Sequence, residues 1–104
     1  MGSTLQLRKL ADTSGARNED GSWPLKSVVL EGEAPRNHQF STTFVTDAIT
    51  DGWATLDGNR FTLKLGNGNV VYRITGYPGR YEDADEPSGF RQDNFYTVEL
   101  EGGL

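Results

Sequence analysis

The chain has 104 residues, thirteen of them glycine and none cysteine, and carries ten basic against fifteen acidic residues for a formal net charge of −5. The lack of cysteine excludes disulfides, thiolate metal sites and cysteine nucleophiles, and the acidic balance argues against nucleic-acid binding, which usually shows a basic surplus. The length fits a single modest core, and we assign residues 1–104 to one domain.

The first half of the chain predicts three strands and one helical turn. Phe40 and Phe44 fall on the same side of the third strand. We expect a helical turn that is capped by Thr46 or Asp47 and ends at Gly52. The predicted strands span residues 4–10, 24–33 and 38–46, the helical turn spans 46–52, and a loop spans 11–24.

Residues 61–75 predict a β-hairpin. Asn67-Gly68 is the strongest short-range signal for a two-residue turn of type I′. This turn places Leu65 opposite Val70 and every apolar side chain of the hairpin on one face. A shift of one residue would move the apolar side chains to the other face, so it is excluded.

A second turn at Gly58-Asn59 adds a preceding strand and gives a three-stranded meander. It pairs Asp57 with Arg60, which have opposite charges. In this register Trp53 lies on the face of Lys64, away from the main apolar row. Two interpretations stay open for Trp53: an exposed patch that contacts a partner, or a side chain that packs on the second sheet of a sandwich.

Segment 76–94 shows no regular pattern. It holds two prolines, three glycines, three aromatic residues, two arginines and five acidic residues. We predict a long irregular loop here, followed by a strand over 95–102 with Val98 facing inward. Ordered loops of this length in compact domains are often functional.

These segments together predict an all-β fold. Several strands are spaced about ten residues apart, with turn residues between them. We expect a small antiparallel β-sandwich or barrel of about seven strands, with at most one short helical turn.

The candidate partner-binding residues belong to segment 76–94, with one addition. Tyrosine and arginine are enriched in binding hot spots, and the two prolines would lower the cost of ordering the loop. The alternative is a solvated connection whose aromatic side chains cover an open end of the core. The candidates are Tyr77, Arg80, Tyr81, Phe90, Arg91 and Trp53.

No pattern in the sequence predicts catalysis. Residues 82–86 hold four acids, which suggests calcium, but Pro87 takes the next alternate position and the EF-hand pattern is missing. His38 is the only histidine, and no G-x-S-x-G motif is present. We expect no enzyme activity, no catalytic or metal-binding residue, and no cofactor.

These features predict a structural or assembly protein that acts through protein–protein contacts. We expect self-association or a larger assembly, and no contact with nucleic acid, membrane or small-molecule ligand. One predicted setting is a virus particle, as a phage capsid decoration, head–tail connector or tail accessory protein. The expected localisation is soluble, after synthesis in the cytoplasm, or in the virion.

Two alternatives to the assembly role stay open. One is a free binding module or inhibitor that uses the acidic and aromatic loop. The other is a carbohydrate-binding module with Trp53, Trp23 or Tyr81 as a stacking platform.

Overall fold

In the computed structural model, residues 4–103 are described and form a mostly β domain with one helix. The predicted domain range of 1–104 also includes residues 1–3 and 104, which lie outside the described residues. The elements in chain order are β1 (Leu7–Ala11), β2 (Leu25–Leu30), β3 (Asn37–Ser41), α1 (Thr42–Thr50), β4 (Ala54–Asp57), β5 (Arg60–Leu65), β6 (Gly68–Gly76), β7 (Gly79–Glu82), β8 (Phe90–Asp93) and β9 (Phe95–Gly103).

The strands form three antiparallel sheets. The main sheet has five strands in the order β3-β9-β6-β5-β4, while β1 pairs with β2 and β7 pairs with β8 in separate two-stranded sheets. The prediction of a mostly β fold with one helix is confirmed. The described residues contain nine strands rather than about seven, and their sheets do not close into a barrel.

The hydrophobic core lies on one face of the five-stranded sheet. Tyr72 is fully buried there, and its ring meets Phe40 edge to face at a centroid distance of 5.3 Å. Val28 from β2 and Ala48 from α1 belong to the same buried cluster and have no exposed surface. The two-stranded β1–β2 sheet and the helix therefore build the core together with the main sheet.

The other face of the main sheet is polar. Arg73 and Glu99 form an ion pair of 2.9 Å there, and Arg60 and Glu101 form a second one of 3.4 Å, all with substantially exposed side chains. Burying such charges under a second sheet would cost desolvation energy. This face stays open to solvent. The predicted sandwich is not confirmed, because the apolar face of the main sheet is covered by the two-stranded β1–β2 sheet together with helix α1 and not by a second large sheet.

The turn between β4 and β5 consists of Gly58 and Asn59, as predicted. Asp57 pairs with Arg60, and the pairing continues to Ala54 opposite Leu63. Gly58 has a φ of 61°, a left-handed conformation that glycine adopts without a steric penalty. The register predicted from Gly58-Asn59 is confirmed.

The β5–β6 register differs from the prediction by two residues. Leu65 lies opposite Gly68 and Leu63 opposite Val70, so the turn consists of Gly66 and Asn67. Neither turn residue has a positive φ, so the turn is not of type I′. A shift of two residues keeps every side chain on its predicted face, which is why the pattern of burial was predicted correctly from the wrong register.

This turn connects the main sheet to β2. The Asn67 side chain donates a hydrogen bond from Nδ2 to the Leu30 carbonyl (2.9 Å) and accepts one at Oδ1 from the Leu30 N–H (3.1 Å). The Gly66 N–H donates to the Val28 carbonyl at 2.8 Å. The turn thus satisfies the outer edge of β2, which would otherwise be unpaired.

Helix α1 starts earlier than predicted. Its N-cap is Ser41, whose Oγ accepts a hydrogen bond from the Phe44 N–H at 3.0 Å, and Thr46 and Asp47 lie inside the helix. The predicted strand over 38–46 therefore ends at Ser41. Gly52, with a φ of 87°, follows the helix as predicted.

Segment 76–94 also differs from the prediction of an irregular loop. Its central part is a β-hairpin, in which β7 and β8 pair from Gly79 opposite Asp93 to Glu82 opposite Phe90. We call residues 79–93 the arm, and the flanking residues 77–78 and 94 its base. The arm is separate from the main sheet, although its flanking residues continue directly into β6 and β9.

We expect a stability loss at alkaline pH that depends on Tyr72. Burial raises the pKa of its hydroxyl to about 12, from an ordinary value near 10. The folded protein keeps a proton that the unfolded chain releases, so this stabilisation is complete below pH 10 and is lost as the pH rises toward 12. Between pH 9 and 11 the wild type should lose about 1.4 kcal/mol more unfolding free energy than Tyr72→Phe. Urea unfolding at both pH values measures this difference, and parallel losses in the two proteins would contradict it.

Candidate interaction site

The arm projects from the body of the domain. The molecule measures 55 × 32 × 28 Å, and its radius of gyration is 16.3 Å, against about 13 Å for a compact chain of this length. No residue of the arm belongs to the hydrophobic core cluster. The arm therefore presents both of its faces to the surroundings while the core remains within the body.

Each face of the arm carries one arginine over one aromatic ring. On one face the Arg80 guanidinium carbon lies 4.1 Å from the centroid of the Phe90 ring. On the other face Arg91 lies 5.1 Å from the ring centroid of Tyr81, its cross-strand partner. A cation–π contact at an exposed site contributes about 0.5–1 kcal/mol. The two pairs favour one arrangement of these four side chains.

Local hydrogen bonds hold the base and the tip of the arm. At the base, the Tyr81 hydroxyl donates to the Tyr77 carbonyl, and the Tyr77 ring lies 6.0 Å from that of Tyr96 in β9. At the tip, the Asp83 N–H donates to the Gly89 carbonyl at 2.9 Å. An isolated two-stranded hairpin is only marginally stable in water. These contacts supply part of the order that an isolated hairpin lacks.

The arm is more acidic than the rest of the protein. It holds two arginines and five carboxylates, and so contributes −3 to the net charge of −5. Arg91 also lies between two of the carboxylates, at 3.3 Å from Asp93 and 3.8 Å from Asp83. The tip therefore presents negative charge, and the two ribbon faces present mixed arginine and aromatic surface.

Comparison with protein-family models, curated proteins and solved structures finds no match to this chain. Function is therefore inferred from the chemistry of the site alone.

Five of the six predicted partner-binding residues meet at the arm and its base. They are Tyr77, Arg80, Tyr81, Phe90 and Arg91. The sixth, Trp53, lies elsewhere, with only 6% of its surface exposed, and its ring meets Phe44 of α1 edge to face at 5.6 Å. Of the two interpretations of Trp53, the exposed patch is not supported, and the side chain is buried against helix α1 instead of a second sheet.

The three aromatic residues predicted as stacking platforms for a sugar have less free ring surface than expected. Trp53 is buried, and the half-buried Trp23 is covered by the Arg17 guanidinium at 4.6 Å from its ring centroid. Tyr81 is exposed, but Arg91 occupies one side of its ring. A sugar needs a free aromatic face for stacking, and these contacts reduce the support for a carbohydrate-binding module.

The acidic tip does not gather into a metal site. Within residues 4–103, no group of three or more His, Asp or Glu side chains is placed to hold a metal ion. The Asp83 carboxylate instead accepts a hydrogen bond from the Asp85 N–H at 3.0 Å.

Across residues 4–103, no helix has the length and apolarity that a membrane crossing requires.

Two clefts beside β1 were missed by the sequence reasoning. The first, of about 520 Å³, separates β1 from β3 and α1, and its walls combine the apolar Leu7, Phe40 and Phe44 with polar side chains that include Asp47. The second, of about 340 Å³, lies between β1 and the loop that carries Trp23. Lys9 lines both clefts. The sequence carries no clear signal for these clefts, because their walls come from segments far apart in the chain and mix apolar side chains with Lys9, Asp47 and Asp51.

Proposed function

We propose that this protein is a non-catalytic assembly protein that binds protein partners through the arm. One observation carries the proposal: of the five large hydrophobic side chains that are exposed in residues 4–103, three lie on the arm and its base. These three are Tyr77, Tyr81 and Phe90, with 37–47% of their surface exposed. Exposed aromatic residues beside arginine are typical of interface centres.

The arm is suited to binding because part of its order is already present. The ring contacts of Arg80 and Arg91 and the bonds at the base restrain the side chains that a partner would meet. Restraint of this kind lowers the entropy that is lost on association. A partner would then displace water from two preformed surfaces, one on each face of the ribbon.

We expect Tyr81→Ala/Phe90→Ala to reduce partner capture from the native source at least tenfold relative to the wild type. The reason is that truncating hot-spot side chains typically costs 2 kcal/mol or more. The measurement is quantitative mass spectrometry of proteins that co-purify in fixed ratio. Ile49→Ala is the matched control, since Ile49 is equally exposed at 41% but lies on α1. Unchanged recovery with the double variant would contradict the proposal.

We propose a virus particle as the assembly in which this protein acts. The arm would contact a neighbouring subunit, as in a capsid decoration, head–tail connector or tail accessory protein. In that setting, a chain in which Asp-Gly replaces residues 79–93 should fold but fail to enter particles. Incorporation at the wild-type level would reject this role for the arm.

A second candidate function is a binding module or inhibitor that engages a basic partner. The ordered tip favours it, because Glu82, Asp83, Asp85 and Glu86 are consecutive or nearly so and mostly exposed. Contacts between exposed charges weaken with salt. Capture that is lost on raising the salt concentration supports the acidic tip as the contact, whereas salt-independent capture supports the aromatic faces.

A further inference from the structure

We propose that Asn67 is a site of spontaneous deamidation, and that the contact of its turn with β2 controls when the reaction occurs. Asn67 is the only asparagine of the chain that is followed by a glycine. Glycine has no Cβ, so the backbone nitrogen of Gly68 is open to close approach by the preceding side chain. The site lies outside the arm, and this inference does not depend on the proposed function.

The reaction needs no reagent other than water. The backbone nitrogen of Gly68 attacks Cγ of Asn67, and a new N–C bond forms as the Cγ–Nδ2 bond breaks. The amide nitrogen leaves as ammonia and takes the proton of the Gly68 N–H. Water then opens the resulting succinimide ring at one of its two carbonyls, which gives aspartate or isoaspartate. Asparagine is accordingly among the thermolabile residues of proteins.

The folded protein holds the reacting side chain away from this attack. Asn67 Nδ2 donates to the Leu30 carbonyl at 2.9 Å, and Oδ1 accepts from the Leu30 N–H at 3.1 Å. Gly68, the attacking residue, is paired with Leu65 at the start of β6. Both polar atoms of the Asn67 amide are therefore engaged on β2, and the side chain must release Leu30 before Cγ can reach the nitrogen of Gly68.

Local opening of the turn is the step that makes the reaction possible. Asn67 is exposed, so water reaches it without global unfolding. The turn lies close against β2, because a Cβ on Gly66 would be 3.1 Å from Ser27 Oγ and 3.4 Å from Val29 Cγ1. Proteins open locally at a lower free energy than they unfold. The rate of deamidation thus reports how often the turn leaves β2.

The reaction makes this opening permanent. Aspartate has an oxygen in place of Nδ2, so it cannot donate to the Leu30 carbonyl, and isoaspartate also lengthens the backbone of the turn by one carbon. Neither product can restore both hydrogen bonds to Leu30. Strand β2 is then paired only with β1, and its other edge is left as an unpaired strand edge that another chain can join.

Peptide mapping of the full chain, incubated at mildly alkaline pH with and without urea, tests the control by the fold. We expect Asn67 to be modified about tenfold or more faster in urea than in the folded wild type. Gly66→Val should speed the reaction in the folded protein, because its side chain presses against Ser27 and Val29. Gly102→Val is the matched control, since a Cβ there meets nothing within 4 Å, and its rate should equal that of the wild type. All three chains should react equally fast in urea.

Hydrogen exchange at the Leu30 N–H tests the consequence. We expect this N–H to be protected in the wild type and unprotected in the deamidated chain, with Asn67→Asp as the pure aspartate product. Equal rates of Asn67 modification in folded and urea-unfolded wild type would overturn the inference, as would a deamidated chain that keeps Leu30 protected. Both measurements use the wild type, so they decide the matter even if Gly66→Val does not fold.

Discussion

Tyr72→Ala is expected to lower the free energy of unfolding by about 3–5 kcal/mol. Tyr72 is the largest side chain with no exposed surface, and its ring packs on Phe40 at the centre of the core. Removing the ring leaves a cavity that neighbouring strands can fill only in part. Folded domains have a total stability of about 5–15 kcal/mol, so this loss is a large fraction of it.

The hydroxyl of Tyr72 can be separated from its ring. It donates a hydrogen bond of 2.8 Å to the Pro35 carbonyl, and Tyr72→Phe removes this bond while keeping the ring. We expect Tyr72→Phe to cost about 1–2 kcal/mol, mostly because the Pro35 carbonyl loses its partner in a buried position. Urea unfolding of both variants near neutral pH measures the two contributions. Equal losses in the two variants would show that ring packing contributes little.

Asn67→Ala is expected to cost about 2 kcal/mol of unfolding free energy, a large effect for a turn residue. The Asn67 side chain satisfies both the N–H and the carbonyl of Leu30, and Leu30 is 4% exposed. Alanine leaves both groups without this partner, and each unpaired buried group costs about 1–3 kcal/mol before solvent compensates in part.

Two further substitutions define the role of Asn67. Asn69→Ala changes an exposed asparagine of the same hairpin and should cost less than about 0.5 kcal/mol. Asn67→Asp keeps an acceptor for the Leu30 N–H but faces the Leu30 carbonyl with an oxygen, so it should destabilise at least as much as alanine. If Asn67→Ala behaves like Asn69→Ala, the turn does not hold β2 to the main sheet.

The comparison of β4–β5 with β5–β6 shows what could be predicted from sequence. The β4–β5 register depends on a turn of Gly58 and Asn59, which is local chemistry, and it was correct. The β5–β6 register was wrong by two residues because an even shift leaves the apolar faces unchanged. The observed turn instead places Asn67 against Leu30, which is thirty-seven positions away in the chain. Sequence periodicity contains no signal for a contact of that kind.

Helix α1 was predicted too short because its residues have a weak local preference for helix. Its segment, Thr42–Thr50, contains four threonines with a valine and an isoleucine, which are β-branched residues typical of strands. No acidic residue lies in its first turn. Burial of Val45 and Ala48 against the core then outweighs the local preference.

The conformation of the candidate site was predicted incorrectly. Its five residues on the arm and the base were selected because arginine and aromatic side chains are common in interfaces, but their segment was predicted to be irregular. Apart from Gly79, its prolines and glycines lie outside the four residue pairs of the arm. The ladder of only four pairs is too short for a clear alternating pattern, so the hairpin could not be distinguished from a loop.

The separation of the arm from the core has a consequence for how this protein can evolve. Mutations that change the arm's aromatic residues or its charges leave every residue of the core cluster in place. Selection for a new contact can therefore act on residues 79–93 with little effect on folding, provided that Tyr77 and Tyr96 still hold the base. Among homologous chains we expect this segment to vary in sequence and length much more than β5, β6 and β9 do.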